Sequence, residues 1–401
     1  MSMTKVVLFQ HPKSRYGVLS SMTESLQQAF RRQGIDAVLF EWWKADPEDL
    51  ERVVRDEKPD FTFSINIFID ETYFYIPMGI PHVYLSVDAF TYCHPALGAM
   101  PHMVTLFVDG ASKDLFSSRS PNPAYWFPHA IAKETLEEFR VRPCLPFSER
   151  PYDVVFLGSY LDHEREKDLW DHLFAPVDVD RLVSCAQRAL EDPSYPFLAD
   201  TLSTIEQTPS IRRLLDEQSV LPAQLANSVE RYVRGLDRER LLRTFEKRSV
   251  HIFSAKDDWK IIRPNYVFHE PVAFDHVSDI CSQAKVIINS VPTIRRGYHE
   301  RLFLGLAAGA TVVSSQIDLP PWVEASGGVV TYRTSTLANL QDRLEACEGR
   351  QSREEILAWL GKEHTWDVRF TKTFPGIAES VAAIHHTWND NPFWHVLDNS
   401  R

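Results

Sequence analysis

Gly297–Ser315 reads GYHERLFLGLAAGATVVSS, and its reading decides the fold. His299 to Ala308 is built of good helix formers, and Leu302, Phe303, Leu306 and Ala307 recur at helical spacing. Gly309 stands where a helix C-terminus favours glycine, and Ala310–Val313 is a short apolar run of the kind buried in a parallel sheet. Gly297 sits just ahead of the helix, where close approach of a ligand would favour the absence of a Cβ. A helix starting on Tyr298, His299, Glu300 and Arg301 offers unpaired N–H groups and the positive end of its dipole, which together make an anion site.

Outward from this stretch, the same alternation repeats. KVVLF (Lys5–Phe9), a loop, a helix over Leu19–Gln33 and DAVLF (Asp36–Phe40) form a βαβ unit. A helix over Pro47–Glu57 follows, capped by Asp46, then strands over Phe61–Phe68, Pro81–Val87, Val104–Val108 and Tyr125–Phe127. Polar residues stand at or near the strand ends: His11, Asn66, Asp70, Asp88, Asp109 and His129. Open α/β sheets bind ligands at that edge. The proline-rich stretch Arg142–Pro151 reads as a linker. YDVVFL (Tyr152–Leu157) opens a second sheet and runs directly into Gly158 and Ser159, a weak phosphate-cradle signal when taken alone. Residues from about 164 to 247 are helical, charged and punctuated by prolines, which predicts a helical insertion. Strands over Ser249–Phe253, Tyr266–Phe268, Val286–Ile288 and Val329–Tyr332 complete the second sheet. Helices are expected over Asp275–Gln283, Ser335–Glu348, Ser352–Glu363 and the C-terminal tail.

Composition narrows the class. With 401 residues, 44% hydrophobic, the chain can bury more than one core and is globular. A formal charge of -12 argues against nucleic acid or an anionic membrane held by bulk attraction. No run approaches the length of a membrane span, and the first apolar run is too short for a signal peptide. Cys93, Cys144, Cys185, Cys281 and Cys347 are scattered, without a C-x-x-C pair, as expected for reduced thiols in the cytoplasm.

Read together, YDVVFLGS, HIFSAKDDW, QAKVIINS (283–290), GYHERLFLGLAAGA and HTWDVR follow one another in an order similar to that of the motifs in the CgeB-like, family 1/4-like glycosyltransferases, which this chain resembles. In that family a strand ending in Asn precedes Arg-x-x-Glu-Ala-x-Ala-x-Gly. Here Asn289, Arg301, Ala307 and Gly309 match, while Leu304 stands where the family has a ribose-holding Glu; Glu300, one turn earlier on the same face, is the candidate to replace it. The resemblance implies a GT-B architecture: two Rossmann-like α/β domains facing a cleft. It assigns 1–145, with crossover helices over 370–401, to the acceptor side. It assigns 150–369, with the insertion at about 164–247, to the nucleotide-sugar side.

The implied activity is transfer of a sugar from a UDP-, GDP- or dTDP-linked donor to a glycan, lipid-linked or protein acceptor, with no other cofactor. GT-B enzymes generally dispense with a metal, so metal-independent transfer is expected; Asp178-Val179-Asp180 lies in the insertion and reads as a solvated turn or helix start. The leaving diphosphate needs cations and N–H groups. Gly158, Ser159, His299 and Arg301 are its candidates, with Arg165, Lys260 and Arg296 behind them, and Asn289, Tyr298 and Glu300 are expected to line the base and ribose pocket. Trp259 reads as a core aromatic. An inverting reaction would need a base on the first domain; Asp88, closing an apolar strand, comes first, His11 second and Asp70 third. Two other readings remain open: a catalytically degenerate GT-B protein that binds a ligand or partner, and a nucleotide-sugar epimerase.

Overall fold

The structure, a computed structural model, describes residues 3–12, 16–67, 80–88, 102–217, 222–315 and 318–389, the side chains of 47 and 387–389 excepted. Asp70, Cys93, Phe68, residues 89–90 just after Asp88 and the tail beyond 389 lie outside the described residues. The chain forms two compact units, 1–133 with 363–401, and 134–362.

In the first unit the strands are β1 (Lys5–Phe9), β2 (Asp36–Phe40), β3 (Phe61–Ile65), β4 (His82–Ser86), β5 (Met103–Phe107) and β6 (Ala124–Trp126). They form one parallel sheet in the order β2-β1-β3-β4-β5-β6. Strands β3, β4 and β5 are buried at every residue, which is why they read as near-continuous apolar runs. Helix α1 (Val18–Arg32) presents Leu26, Ala29 and Phe30 to the core. Helix α2 (Pro47–Glu57) opens on a capping box in which Asp46 and Asp49 satisfy each other's backbone N–H. After β5, α3 (Gly110–Arg119) leads into β6. The C-terminal helix, Trp366–Asn389, packs on α1: Phe370 meets Phe30 edge-on at 4.4 Å, and Asp367 takes both Arg32 nitrogens, at 2.5 and 2.8 Å.

The first core also carries buried imidazoles. His82 is held between Thr62 Oγ1 and Ser64 Oγ, 2.8 Å from each. Burial, with the charge of His102 second, pushes it down to about 3; burial alone pushes His102 to about 4.

In the second unit, α4 (Lys133–Val141) is followed by β7 (Tyr152–Leu157) and then by α5 (His163–Leu173), α6 (Pro176–Glu191), α7 (Phe197–Gln207), α8 (Pro209–Glu217) and α9 (Pro222–Arg243). The chain then runs through β8 (Val250–Phe253), β9 (Tyr266–His269), α10 (Val277–Gln283), β10 (Ala284–Asn289), α11 (Glu300–Ala307), β11 (Thr311–Ser314), α12 (Pro321–Ala325), β12 (Val329–Thr331), α13 (Leu340–Cys347) and α14 (Arg353–Glu363). The sheet is parallel, in the order β12-β11-β10-β7-β8-β9. In chain order this is 3-2-1-4-5-6 seen from the other side, the doubly wound arrangement.

The expected insertion resolves into helices α5 to α9. Buried Trp170 of α5 donates to Ser228 of α9 at 2.9 Å, and Glu166 accepts from the same hydroxyl at 2.6 Å. Asp178 lies on α6, buried, and is taken by Arg181 at 2.8 Å and Ser210 at 2.6 Å, so it is a structural carboxylate rather than part of a solvated turn. The stretch read as a linker, 142–151, falls inside this unit. Its Arg150 is buried and donates to Ala284 O at 2.8 Å and Ala308 O at 3.0 Å, sewing the segment to the start of β10 and the end of α11.

A depressed imidazole pKa means that the unfolded chain takes up the proton first, so stability present at neutral pH is lost as pH falls from about 6.5 toward 3. Acidifying from pH 7 to 4.5 is therefore expected to lower the thermal midpoint, and His82→Gln to make that loss shallower; an unchanged slope in the variant would contradict the assignment.

Candidate nucleotide site at the second sheet edge

Where a doubly wound sheet reverses its strand order, the helices leaving the two central strands part and open a crevice at the C-terminal edge. In the second unit that point lies between β7 and β10. Gly158 and Ser159 leave β7 there, Asn289 and Ser290 leave β10, and α11 follows. The tip of α11 has the expected cap: His299 is extended, and its Nδ1 accepts from Arg301 N at 3.4 Å and lies 3.3 Å from Glu300 Oε2. At the other end Gly309 takes φ +73°, a conformation costly for any residue with a Cβ.

The candidate side chains divide by what they touch. The Arg301 side chain is partly buried and, among the described residues, makes no hydrogen bond or ion pair; burial pushes its guanidinium down, neighbouring Arg234 does so as well, and Glu300 opposes them. Ser159 offers its carbonyl to Arg238 Nη1 at 2.6 Å. A Cβ on Gly158 would come within 3.1 Å of the Phe156 ring, a tight approach that the ring would have to yield to. Asn289 is fully buried and donates to Ser314 Oγ at 3.0 Å, tying the end of β10 to the end of β11. Tyr298 donates its hydroxyl to Asp318 O at 2.8 Å. Leu304 is 5% exposed, so the position that carries Glu in the resembled motif faces the core here. Lys260 pairs with Asp162, Arg296 is exposed, and the Arg165 backbone N–H is capped by Asp162 at 3.1 Å. Trp259 packs against Phe156, Tyr160 and Phe268 as a core aromatic.

Sequence reasoning missed the contribution of α9. Its Glu230, Arg234, Asp237 and Arg238 share one face at helical spacing and lie on the crevice. Glu230 accepts from Thr293 at 3.0 Å and lies 3.7 Å from Arg234 Nη1. Asp237 accepts from Ser290 Oγ and from the Tyr332 hydroxyl, both at 2.6 Å. Burial pushes Asp237 up, against those two hydrogen bonds, and holds Tyr332 well above its ordinary range. The spacing was visible in the sequence, but a charged helix face looks the same whether it meets water or a sheet edge.

The first unit has its own reversal, between β1 and β3. His11 follows β1 and lies 2.5 Å through Nε2 from Ile65 O, with burial pushing its imidazole down. Asn66 follows β3 in the left-handed region, φ +47°, unusual for a residue other than glycine. From there its Nδ2 donates to Asp88 Oδ2 at 2.6 Å and its Oδ1 accepts from Val87 N at 3.0 Å. Asp88 is thus oriented by a strained neighbour, a feature concentrated at functional sites. Asp109 instead caps α3, accepting from Ser112 N and Oγ at 2.9 Å.

No protein-family model matches this sequence, and no curated protein is similar to it in sequence. Solved structures do match. An α-glucosyltransferase in complex with UDP and a 13-mer DNA containing an HMU base is 11% identical, over 95% of this chain and all of that one, with a TM-score of 0.52. T4 phage BGT with UDP-glucose covers 97% of this chain and all of its own, at 13% identity and TM-score 0.43; sucrose-phosphate synthase from Thermosynechococcus elongatus covers 95% and all of its own, at 11% and 0.47. The fold is that of the GT-B glycosyltransferases, with two Rossmann-like domains.

Tyr332→Phe leaves the buried Asp237 carboxylate one donor short, and is expected to cost about 1–3 kcal/mol in chemical unfolding. Stability equal to the parent's would show that the hydroxyl does not support the carboxylate.

Proposed function

We propose that this chain is a glycosyltransferase that takes a sugar from a nucleotide-sugar donor, UDP-linked as the first choice, with α11 holding the diphosphate. The observation that carries the reading is Arg301, a partly buried guanidinium at a helix N-terminus, without a hydrogen-bonded partner among the described residues and beside a second cation, Arg234. Burial above all disfavours the Arg301 charge, Glu300 offsets it in part and Arg234 adds to it, and a bound anion would relieve what remains. A helix N-terminus adds N–H donors aimed at the same place.

As the glycosidic bond breaks, charge builds on the leaving diphosphate. Arg301, Arg234, the α11 amides and the Gly158–Ser159 turn would stabilise it, and these groups were in place before reaction. With cations supplied by the protein, we infer a reaction that uses no metal. His299 would orient Arg301 through its cap, and Glu300, beside it, would take the ribose hydroxyls. Asp88, held by Asn66, would remove the proton of the acceptor hydroxyl if the reaction inverts, with His11 as the alternative base. The acceptor is taken as a glycan, a lipid-linked sugar or a protein side chain. Nucleic acid is disfavoured by the charge of -12, although the similar α-glucosyltransferase was solved with DNA. A reduced, cytoplasmic setting suits the free thiols Cys144, Cys185, Cys281 and Cys347; among the described residues no helix is long and apolar enough to cross a membrane.

Buried Leu304 favours one rival, a chain that binds nucleotide without transferring sugar. Release of UDP from UDP-glucose on adding acceptor would exclude it.

In a thermal-shift series with UDP, GDP and dTDP, UDP at 100 times its Kd should add about 2.7 kcal/mol, several degrees in a domain of this size. Arg301→Ala should weaken UDP about tenfold or more. A wild-type midpoint that none of the three nucleotides moves would overturn the reading.

A further inference from the structure

The C-terminal edge of the first sheet carries exposed tryptophan on both flanks of the Asp88 region. Trp42 lies two residues past β2 and is 38% exposed; Trp126 ends β6 and is 47% exposed. Trp126 is not a loose surface residue. Its indole N–H donates to Val108 O at 3.2 Å, which fastens the ring across the end of β5 with its polar atom already satisfied. What remains for water is an apolar ring in a fixed orientation, and an immobilised aromatic gives up little entropy when a ligand stacks on it.

Register places this ring relative to the candidate base. Trp126 is opposite Phe107 of β5, and Phe107 is opposite Ser86 of β4, two residues before Asp88. Two strand spacings put Trp126 about 10 Å from the end of β4, a reach that a short oligosaccharide spans while offering one hydroxyl to Asp88.

Ligand chemistry follows from the shape and charge of this edge. A sugar ring has an apolar C–H face that stacks on indole and a rim of hydroxyls for carboxylate and imidazole. Nucleobases also stack, but they bring phosphates, and among the described residues the ends of β4 and β5 bring the carboxylates Asp88 and Asp109, with His11, its imidazole pushed down by burial, after β1 and Lys44, paired with Glu41, after β2. We propose that Trp126 is the stacking platform of an acceptor subsite for a neutral oligosaccharide. The proposal rests on the glycosyltransferase reading and names the acceptor class within it.

The test is saturation-transfer NMR on the full chain without nucleotide, titrating maltotriose, cellotriose and chitotriose, with a 13-mer duplex DNA as competitor. At least one trisaccharide should bind saturably, Trp126→Ala should weaken it about tenfold, Trp126→Phe should retain part of the affinity, and the duplex should not compete. Failure of all three sugars, unchanged affinity in Trp126→Ala with a native circular dichroism spectrum, or displacement by the duplex would each overturn it. Because no nucleotide is present, this outcome is independent of the UDP series: sugar contact without UDP stabilisation would count against the donor site alone.

Discussion

A parallel sheet that reverses its strand order once must leave a gap where the helices part, and most of what is distinctive in this chain is gathered at such a gap. Between β7 and β10 the backbone turns at Gly158–Ser159 and Asn289–Ser290, and α9 fastens both turns. Arg238 holds the Ser159 carbonyl, while Asp237 holds Ser290 together with Tyr332 beyond β12. Burying a carboxylate is expensive unless its lone pairs are satisfied. Here two hydroxyls satisfy it, and the rigidity gained falls on the segments that lead to α11. The Arg301 side chain makes no hydrogen bond among the described residues, and on the proposed reading this is where the anion binds.

Most of the fold could be read from the sequence because both sheets are parallel and buried on two faces. KVVLF, DAVLF and YDVVFL are strands with the expected bounds, and Asp46 starts its helix and Gly309 stops its own as their chemistry requires. Boundaries slipped where propensity gave way to context. The stretch 142–151 is rich in proline yet anchored by buried Arg150, whose partners, Ala284 and Ala308, are more than a hundred residues away. Nothing local signals such a contact.

The candidate site was legible in part, for the same reason. His299, Glu300 and Arg301 follow from helix geometry alone. Asn289, polar at a strand end, reads as a pocket residue, and the structure adds that its Nδ2 donates to Ser314. The charges of α9 read only as part of a helical, charged insertion, and Asn66 as one polar strand end among several. Its left-handed backbone and its two hydrogen bonds to the Val87–Asp88 segment depend on β4 lying next to β3, which no local pattern encodes.

The central claim is that a diphosphate belongs at the tip of α11. A crystal structure of the chain grown with saturating UDP tests it most directly. The account predicts the diphosphate within hydrogen-bonding distance of the Arg301 guanidinium and the first amides of α11. A diphosphate seated elsewhere, with Arg301 still without a bonded partner, would contradict it.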